Sequence, residues 1–195
     1  MLIVGINGSP NMSGSTAFLL DQLSKEIELL NGEFKRINVV DALSDINTPF
    51  CTNCNNICDG RCYEGTKLEQ SFQVMTKADA IVIASPVYFG SVSGQLKCFF
   101  DKTLKLRQER KLIGKIGAAI AVGGARYGGQ ENTIRTIQGI LMIHGMSIIS
   151  DGSITHGAGH FGIAAQEPAI EDKKAVKRIK ILANRIAEEV LDLLN

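Results

Sequence analysis

The sequence predicts an α/β fold: a doubly wound five-stranded parallel sheet with helices on both faces. Three observations lead there. Short apolar runs of strand length alternate five times with longer stretches whose apolar residues recur every three or four positions, the pattern of parallel strands joined by crossover helices. The runs are nearly continuous in hydrophobic residues, as strands buried on both faces are. The chain of 195 residues is 45% hydrophobic, enough for one core, so residues 1–195 are expected to form a single domain.

Leu2 to Ile6 is the first such run, followed by a polar turn from Asn7 to Thr16. Phe18, Leu19, Leu23, Ile27 and Leu30 then fall on one helical face from Ser15 to about Leu30, ending at Asn31-Gly32. Phe34 to Val40 reads as the second strand, Glu64 to Lys77 as a helix, and Ala80 to Ala84 as the third strand, closed by Pro86. A helix is expected over Gln95 to Leu106, the fourth strand over Ile116 to Val122, and a further helix over Gln130 to His144. Met146 to Ser150 is the fifth strand, a glycine-rich connection runs to Gly162, and the last helix covers Pro168 to Leu194. Right-handed crossovers through five such strands fit the flavodoxin-like order 2-1-3-4-5. In open sheets of this kind ligands bind beyond the carboxyl ends of the strands, where strand order reverses. The loops after strands one, three and four are therefore the ones to examine.

Lysine plus arginine (21) nearly balance aspartate plus glutamate (20). No basic field for nucleic acid and no acidic tail is present, so the expected partner is a small molecule or a protein. The start of the chain reads as a strand rather than a signal peptide, and no apolar run reaches membrane-spanning length, which places the protein in the cytoplasm.

The loop after strand one carries Ser9, Asn11, Ser13, Ser15 and Thr16 into a helix start, where exposed amides and the helix dipole favour a phosphate. Plain helix capping by Ser or Thr is the alternative. The loop has neither a Walker P-loop nor G-x-G-x-x-G spacing. After strand three come Pro86, Val87, Tyr88, Phe89 and Gly90, and after strand four Gly124, Arg126, Tyr127 and Gly128. Aromatics beside glycines let a flat ring approach the backbone, against the alternative of a turn with its aromatics packed inward.

Four of the five cysteines, Cys51, Cys54, Cys58 and Cys62, fall within twelve residues, 51 to 62. One loop can thus supply a whole ligand set for a cubane iron-sulfur cluster, with Gly60 free to take a positive φ. A tetrahedral zinc site, a disulfide pair and unliganded thiols remain alternatives. Cys98 lies in an apolar helical stretch and reads as core packing.

Several runs together carry a family likeness: Gly8-Ser9-Pro10, the cysteine loop, Ser85 to Lys97, Gly123 to Glu131, and His144-Gly145-Met146. In this order, over nearly the whole chain, they resemble the iron-sulfur flavoproteins of the NADPH-dependent FMN reductase superfamily. The resemblance implies a flavodoxin-like fold, bound FMN, a four-iron four-sulfur (4Fe-4S) cluster on Cys51, Cys54, Cys58 and Cys62, and a homo-oligomer, a tetramer. It assigns Ser9, Asn11, Ser15 and Thr16 to the FMN phosphate. It sets Pro86 to Gly90 along the isoalloxazine ring, with Gly124, Arg126, Tyr127 and Gly128 at its other side. Two departures from the family's pattern stand out: Ile57 holds the place where a third cysteine is common, with Cys58 following, and Asn11 and Met12 stand where basic residues are common.

The implied activity is electron transfer from a ferredoxin-like donor through the cluster to FMN and on to a small-molecule or protein acceptor. The cofactors carry the chemistry, so no catalytic acid-base residues are assigned. Two other readings are an NAD(P)H-dependent FMN or quinone reductase with no functional cluster, and a non-enzymatic zinc-binding interaction module. His144 is expected to cap a helix end, and His160-Phe161-Gly162 to cover a neighbouring subunit's flavin.

Overall fold

The structure, a computed structural model, describes residues 1–194. Five strands run parallel in one row: β1 (Leu2–Asn7), β2 (Glu33–Asn38), β3 (Ala80–Pro86), β4 (Ile116–Gly123) and β5 (Ser147–Ile148), in the order β2-β1-β3-β4-β5. A sixth strand, β6 (Ile163–Gln166), also pairs with β4. The fold class and strand order expected from the sequence are those observed.

Successive strand residues face opposite sides, and each side has its own core. Ala80, Val82 and Ala84 of β3 pack with Leu19, Leu23 and Ile27 of α1 (Ser15–Leu29) and with Ile179, Leu182 and Ile186 of α7 (Lys173–Leu194). Ile81 and Ile83 face the other way. They pack with Leu68 and Phe72 of α3 (Lys67–Lys77), Leu96 and Phe99 of α4 (Gly94–Asp101), and Ile134 and Ile137 of α6 (Gln130–Ile143). Two short helices, α2 (Val39–Ala42) and α5 (Leu104–Gln108), complete that second layer.

Several boundaries differ from expectation, each for a local reason. Val39 and Val40 leave the second strand to begin α2. Helix α3 starts at Lys67 rather than Glu64: Gly65 has φ +74°, and Thr66 caps the helix by accepting from the Glu69 amide. The helix expected over Gln95 to Leu106 breaks into α4 and α5. At the break the Thr103 hydroxyl donates to the Phe100 carbonyl (2.6 Å), and Lys102 turns its side chain toward the cysteine loop. Helix α7 starts at Lys173 rather than Pro168, because Asp172 accepts from the amides of Ala175 and Gln166, both at 3.0 Å, and so sets the cap.

The largest difference is in the fifth lane of the sheet. Met146 to Ser150 contributes only the two residues of β5, paired with Ile116 and Gly117. The lane resumes at β6, unexpected from the sequence, against Ile120 to Gly123. Between them residues 149–162 form an insertion whose two arms cross so closely that a Cβ on Gly152 would lie 2.1 Å from the Ala158 carbonyl oxygen. Glycine is the residue that permits that crossing. Asp151, wholly buried, ties the insertion to α7: it accepts from Arg178 and from the His160 amide, and its carbonyl takes a second Arg178 bond at 2.7 Å. No helix among the described residues is long and apolar enough to cross a membrane.

Candidate functional site

The first loop is preorganised by a ladder of side-chain turns. Asn7, buried at the end of β1, accepts from the Ser9 amide (3.1 Å); Ser9 Oγ accepts from the Asn11 amide (3.1 Å); and Asn11 Oδ1 accepts from the Ser13 amide (3.0 Å). Asn7 is itself held from β2, donating to Asn38 Oδ1 at 3.0 Å. Short polar side chains at every second position make such consecutive turns possible. The ladder delivers the chain to Gly14, the N-cap of α1, which has no side chain to offer the first-turn amides, and no acidic residue occupies that turn. The plain Ser/Thr cap is therefore not what this loop builds. It leaves the positive end of a 15-residue helix open to an anion. Ser15 is partly committed elsewhere, since its Oγ accepts from the Ala169 amide (3.1 Å).

After β3, Tyr88 and Ser91 exchange two backbone hydrogen bonds (2.9 and 3.0 Å) around Phe89 and Gly90, whose φ values are +50° and +73°. This is the two-residue turn with both central residues left-handed. A phenylalanine rarely adopts that conformation. The turn throws the Phe89 ring fully into solvent, with Tyr88 half exposed beside it, so the inward-packed alternative is overturned. The loop after β4 comes to meet it. Gly129, with φ +92°, lies so close that a Cβ there would stand 3.1 Å from Gly90 Cα and 3.3 Å from Val87. Gln130 is buried and clamps the loop, donating to the Ala125 carbonyl (2.7 Å) and to Ala165 in β6 (3.3 Å). Arg126 stacks over the exposed Tyr127 ring at 5.5 Å. The result is a shelf of glycine backbone rimmed by Tyr88, Phe89, Arg126 and Tyr127, beside the open helix start. Ser93 joins the two halves, donating to the Gly8 carbonyl while accepting from the Leu96 amide (3.1 Å) to cap α4.

The cysteine loop lies elsewhere. Asp101 and Lys102, at the far end of α4, line a concavity of about 170 Å³ together with Cys51, Cys54, Cys58 and Cys62. Helix α4 rises about 1.5 Å per residue, so its eight residues separate this concavity from the Ser93 junction by roughly 12 Å along the helix. All four thiols are free in the structure. Among the described residues no group of three or more His, Cys, Asp or Glu side chains closes around a single metal ion. The donor set nonetheless fits a thiolate-ligated cluster: four cysteines share one wall, the Asn53 amide donates to Cys51 Sγ (3.4 Å), and the Lys102 ammonium sits 3.7 Å from Cys62 Sγ. Gln108 of α5 holds the loop from behind, accepting from the Cys58 amide (2.9 Å) and donating to the Asn56 carbonyl (3.1 Å). Gly60 takes the expected positive φ, +80°. Beneath the loop, Tyr63 packs edge-on to Phe72, and burial, then the nearby Cys58 and Cys62, push its phenol well above the usual range.

With this geometry the comparisons with known proteins agree. The family model for NADPH-dependent FMN reductases matches residues 1–160. The chain belongs to that family. It is an oxidoreductase. Its relatives include an iron-sulfur flavoprotein of Methanocaldococcus jannaschii, 34% identical over 193 residues (97% of each chain), and one of Methanosarcina thermophila, 34% identical over 196 residues (100% of this chain, 97% of that one). A flavodoxin, WrbA-like protein from Agrobacterium tumefaciens has the same fold, with a TM-score of 0.71 at 17% identity over 98% of both chains. The family resemblance drawn from the sequence motifs is thereby established.

The structure brings Ser9, Asn11, Ser13, Ser15 and Thr16 to one loop, and Pro86 to Gly90 and Gly124 to Gly128 to the adjoining shelf, all at the carboxyl edge. The cysteines are together but away from that edge. Cys98 is half-exposed on α4 rather than in the core. His144 is the C-cap residue of α6, as expected, but through its backbone: its amide donates to the Leu141 carbonyl (3.1 Å), while its buried ring turns away to Thr103 Oγ1 at 2.9 Å. Phe161 is engaged within its own chain, its ring under Arg135 at 4.8 Å. Sequence reasoning missed Asn7, Asn38, Ser93, Lys102, Gln108 and Gln130. Only Asn7 had a sequence signal, a buried-strand ending in an amide.

Proposed function

We propose that the protein is an FMN-binding iron-sulfur flavoprotein that relays electrons from a ferredoxin-like one-electron donor, through a 4Fe-4S cluster, to FMN and on to a small-molecule or protein acceptor. The observation that carries the reading is the gathering of four free thiols on the wall of one concavity in a chain of this family. Bound flavin would supply chemistry joining one- and two-electron partners, and the cluster one-electron storage.

The chain's own residues bind and orient. The open α1 amides, with Ser9, Asn11, Ser13, Ser15 and Thr16 around them, would receive the FMN phosphate. Pro86 to Gly90 and Gly124, Arg126, Tyr127 and Gly128 would hold the ring against glycine backbone, where unhindered amides favour a reduced, anionic flavin. Cys51, Cys54, Cys58 and Cys62 would ligate the cluster, with Gln108 fixing the loop. The matching family is described as NADPH-dependent, which favours as second reading a reductase fed by NAD(P)H. Exposed Ile113, Met142 and Ile143, near the end of α6, suit self-association, which we take to be a homotetramer, and free thiols suit a reducing setting, which we take to be the cytoplasm.

The test is an absorbance spectrum of anaerobically purified protein before and after dithionite, with iron and acid-labile sulfide determined on the same sample. Flavin bands over a broad thiolate-to-iron shoulder, both bleaching, are expected. Flavin alone, rapidly reduced by NADPH, moves the protein to the second reading, and stoichiometric zinc without flavin sinks both.

A further inference from the structure

Lys102 is the C-cap of α4 and is only 4% exposed. The other cations near the cysteine loop are paired: Arg61 with Asp59, Lys97 with Asp101 (2.5 Å), and Lys105 with Glu109 (4.0 Å). Lys102 is different. Among the described residues no carboxylate oxygen lies within 4.0 Å of its ammonium, and the side-chain partner it has is Cys62 Sγ at 3.7 Å. A buried cation with no counter-ion is costly, so folds that keep one supply a negative charge beside it. The concavity that Lys102 lines holds Asp101, whose carboxylate is already paired with Lys97, and the four cysteines, whose thiolates are the remaining source of negative charge.

We infer that Lys102 is the fixed counter-charge of the cysteine site, a positioning residue that holds an anionic thiolate-ligated iron-sulfur cluster and favours its reduced state. The inference rests on the cluster reading above. One-electron reduction makes and breaks no bond; it adds one negative charge from the donor to a site already negative. An ammonium held beside one ligand sulfur by a buried side chain offsets that charge, although the sulfur itself faces solvent.

The experiment compares wild-type protein with Lys102→Met and Lys102→Arg, each reconstituted anaerobically with ferrous iron and sulfide at one fixed pH. Iron, sulfide and flavin content are measured, followed by an electron-paramagnetic-resonance redox titration with dithionite. Lys102→Met is expected to bind flavin normally and to shift the cluster's reduction equilibrium at least tenfold toward the oxidised form, about 59 mV for a one-electron couple. Lys102→Arg, which keeps the charge, should recover most of that shift. If Lys102→Met folds with flavin but loads no cluster while Lys102→Arg loads one, the charge requirement is equally upheld. Equal potentials in wild type and Lys102→Met overturn the inference while leaving the cluster reading intact. Arg and Met variants that are displaced or emptied alike also overturn it, because side-chain shape rather than charge would then be responsible. Wild-type protein that takes up no iron and sulfide removes the cluster reading and this inference together.

Discussion

Replacing Arg178 with leucine tests whether the buried ion pair under the insertion holds it in place. In the native chain the Asp151 carboxylate is fully buried and is met by the Arg178 guanidinium and the His160 amide, while the Asp151 carbonyl takes a further Arg178 bond. Arg178→Leu leaves the carboxylate with one amide donor. Breaking a buried pair from one side costs about 3–5 kcal/mol. The Arg178 side chain is itself 25% exposed, so water can partly replace it, and the expected loss falls to roughly 2–3 kcal/mol. For a chain of this size that corresponds to a fall in melting temperature of about 4–12 °C. Urea unfolding of the apoprotein, followed by circular dichroism, measures it. Adding Asp151→Asn should cost less than the sum of the two single changes, since the orphaned charge is then gone. A single-variant loss below about 0.5 kcal/mol, the range of ordinary surface substitutions, would refute the reasoning.

Two further changes probe the carboxyl edge and the core beside it. Gly129→Ala places a Cβ at φ +92° against Gly90 and Val87, so it should cost roughly 1–3 kcal/mol and push the Phe89-Gly90 turn outward; unchanged FMN affinity by fluorescence titration would show that this close approach does not shape the flavin shelf. His144 is held below its ordinary pKa by burial and then by the Arg107 charge, so between about pH 7 and 5 the unfolded chain takes up a proton the folded chain refuses. Stability should therefore fall as pH drops through that window. His144→Gln, keeping a donor toward Thr103, should flatten the curve; parallel wild-type and variant curves in urea unfolding would assign the dependence to other groups.

The sheet and most helices were legible because their causes are local in sequence. Apolar runs such as Leu2 to Ile6 and Ile116 to Val122 have no other way to be buried than between two helical layers, and alternation with period-3.6 stretches dictates those layers. The break between α4 and α5 and the late start of α7 were not legible. The first depends on Lys102 and Thr103 finding partners in the cysteine loop and at Phe100 and His144; the second depends on Asp172 capping a helix whose preceding residues read as helical. The strand β6 was hidden for a similar reason. Ile163–Gln166 is four residues long, and only pairing with Ile120 to Gly123 makes it a strand.

The candidate site divides along the same line. By itself the sequence determined the ligand types: four thiols in one loop, short hydroxyl and amide side chains ahead of a helix, and aromatics set among glycines. Those are properties of residue identity and spacing. Tertiary structure alone decided their relations. It made Gly14 rather than a serine the helix cap, turned Phe89 outward, set Gly129 against Gly90, and placed the cysteines a helix length from the carboxyl edge with Lys102 among them. Whether a side chain meets a partner far away in sequence is fixed by how the elements pack, and no local pattern along the chain records it.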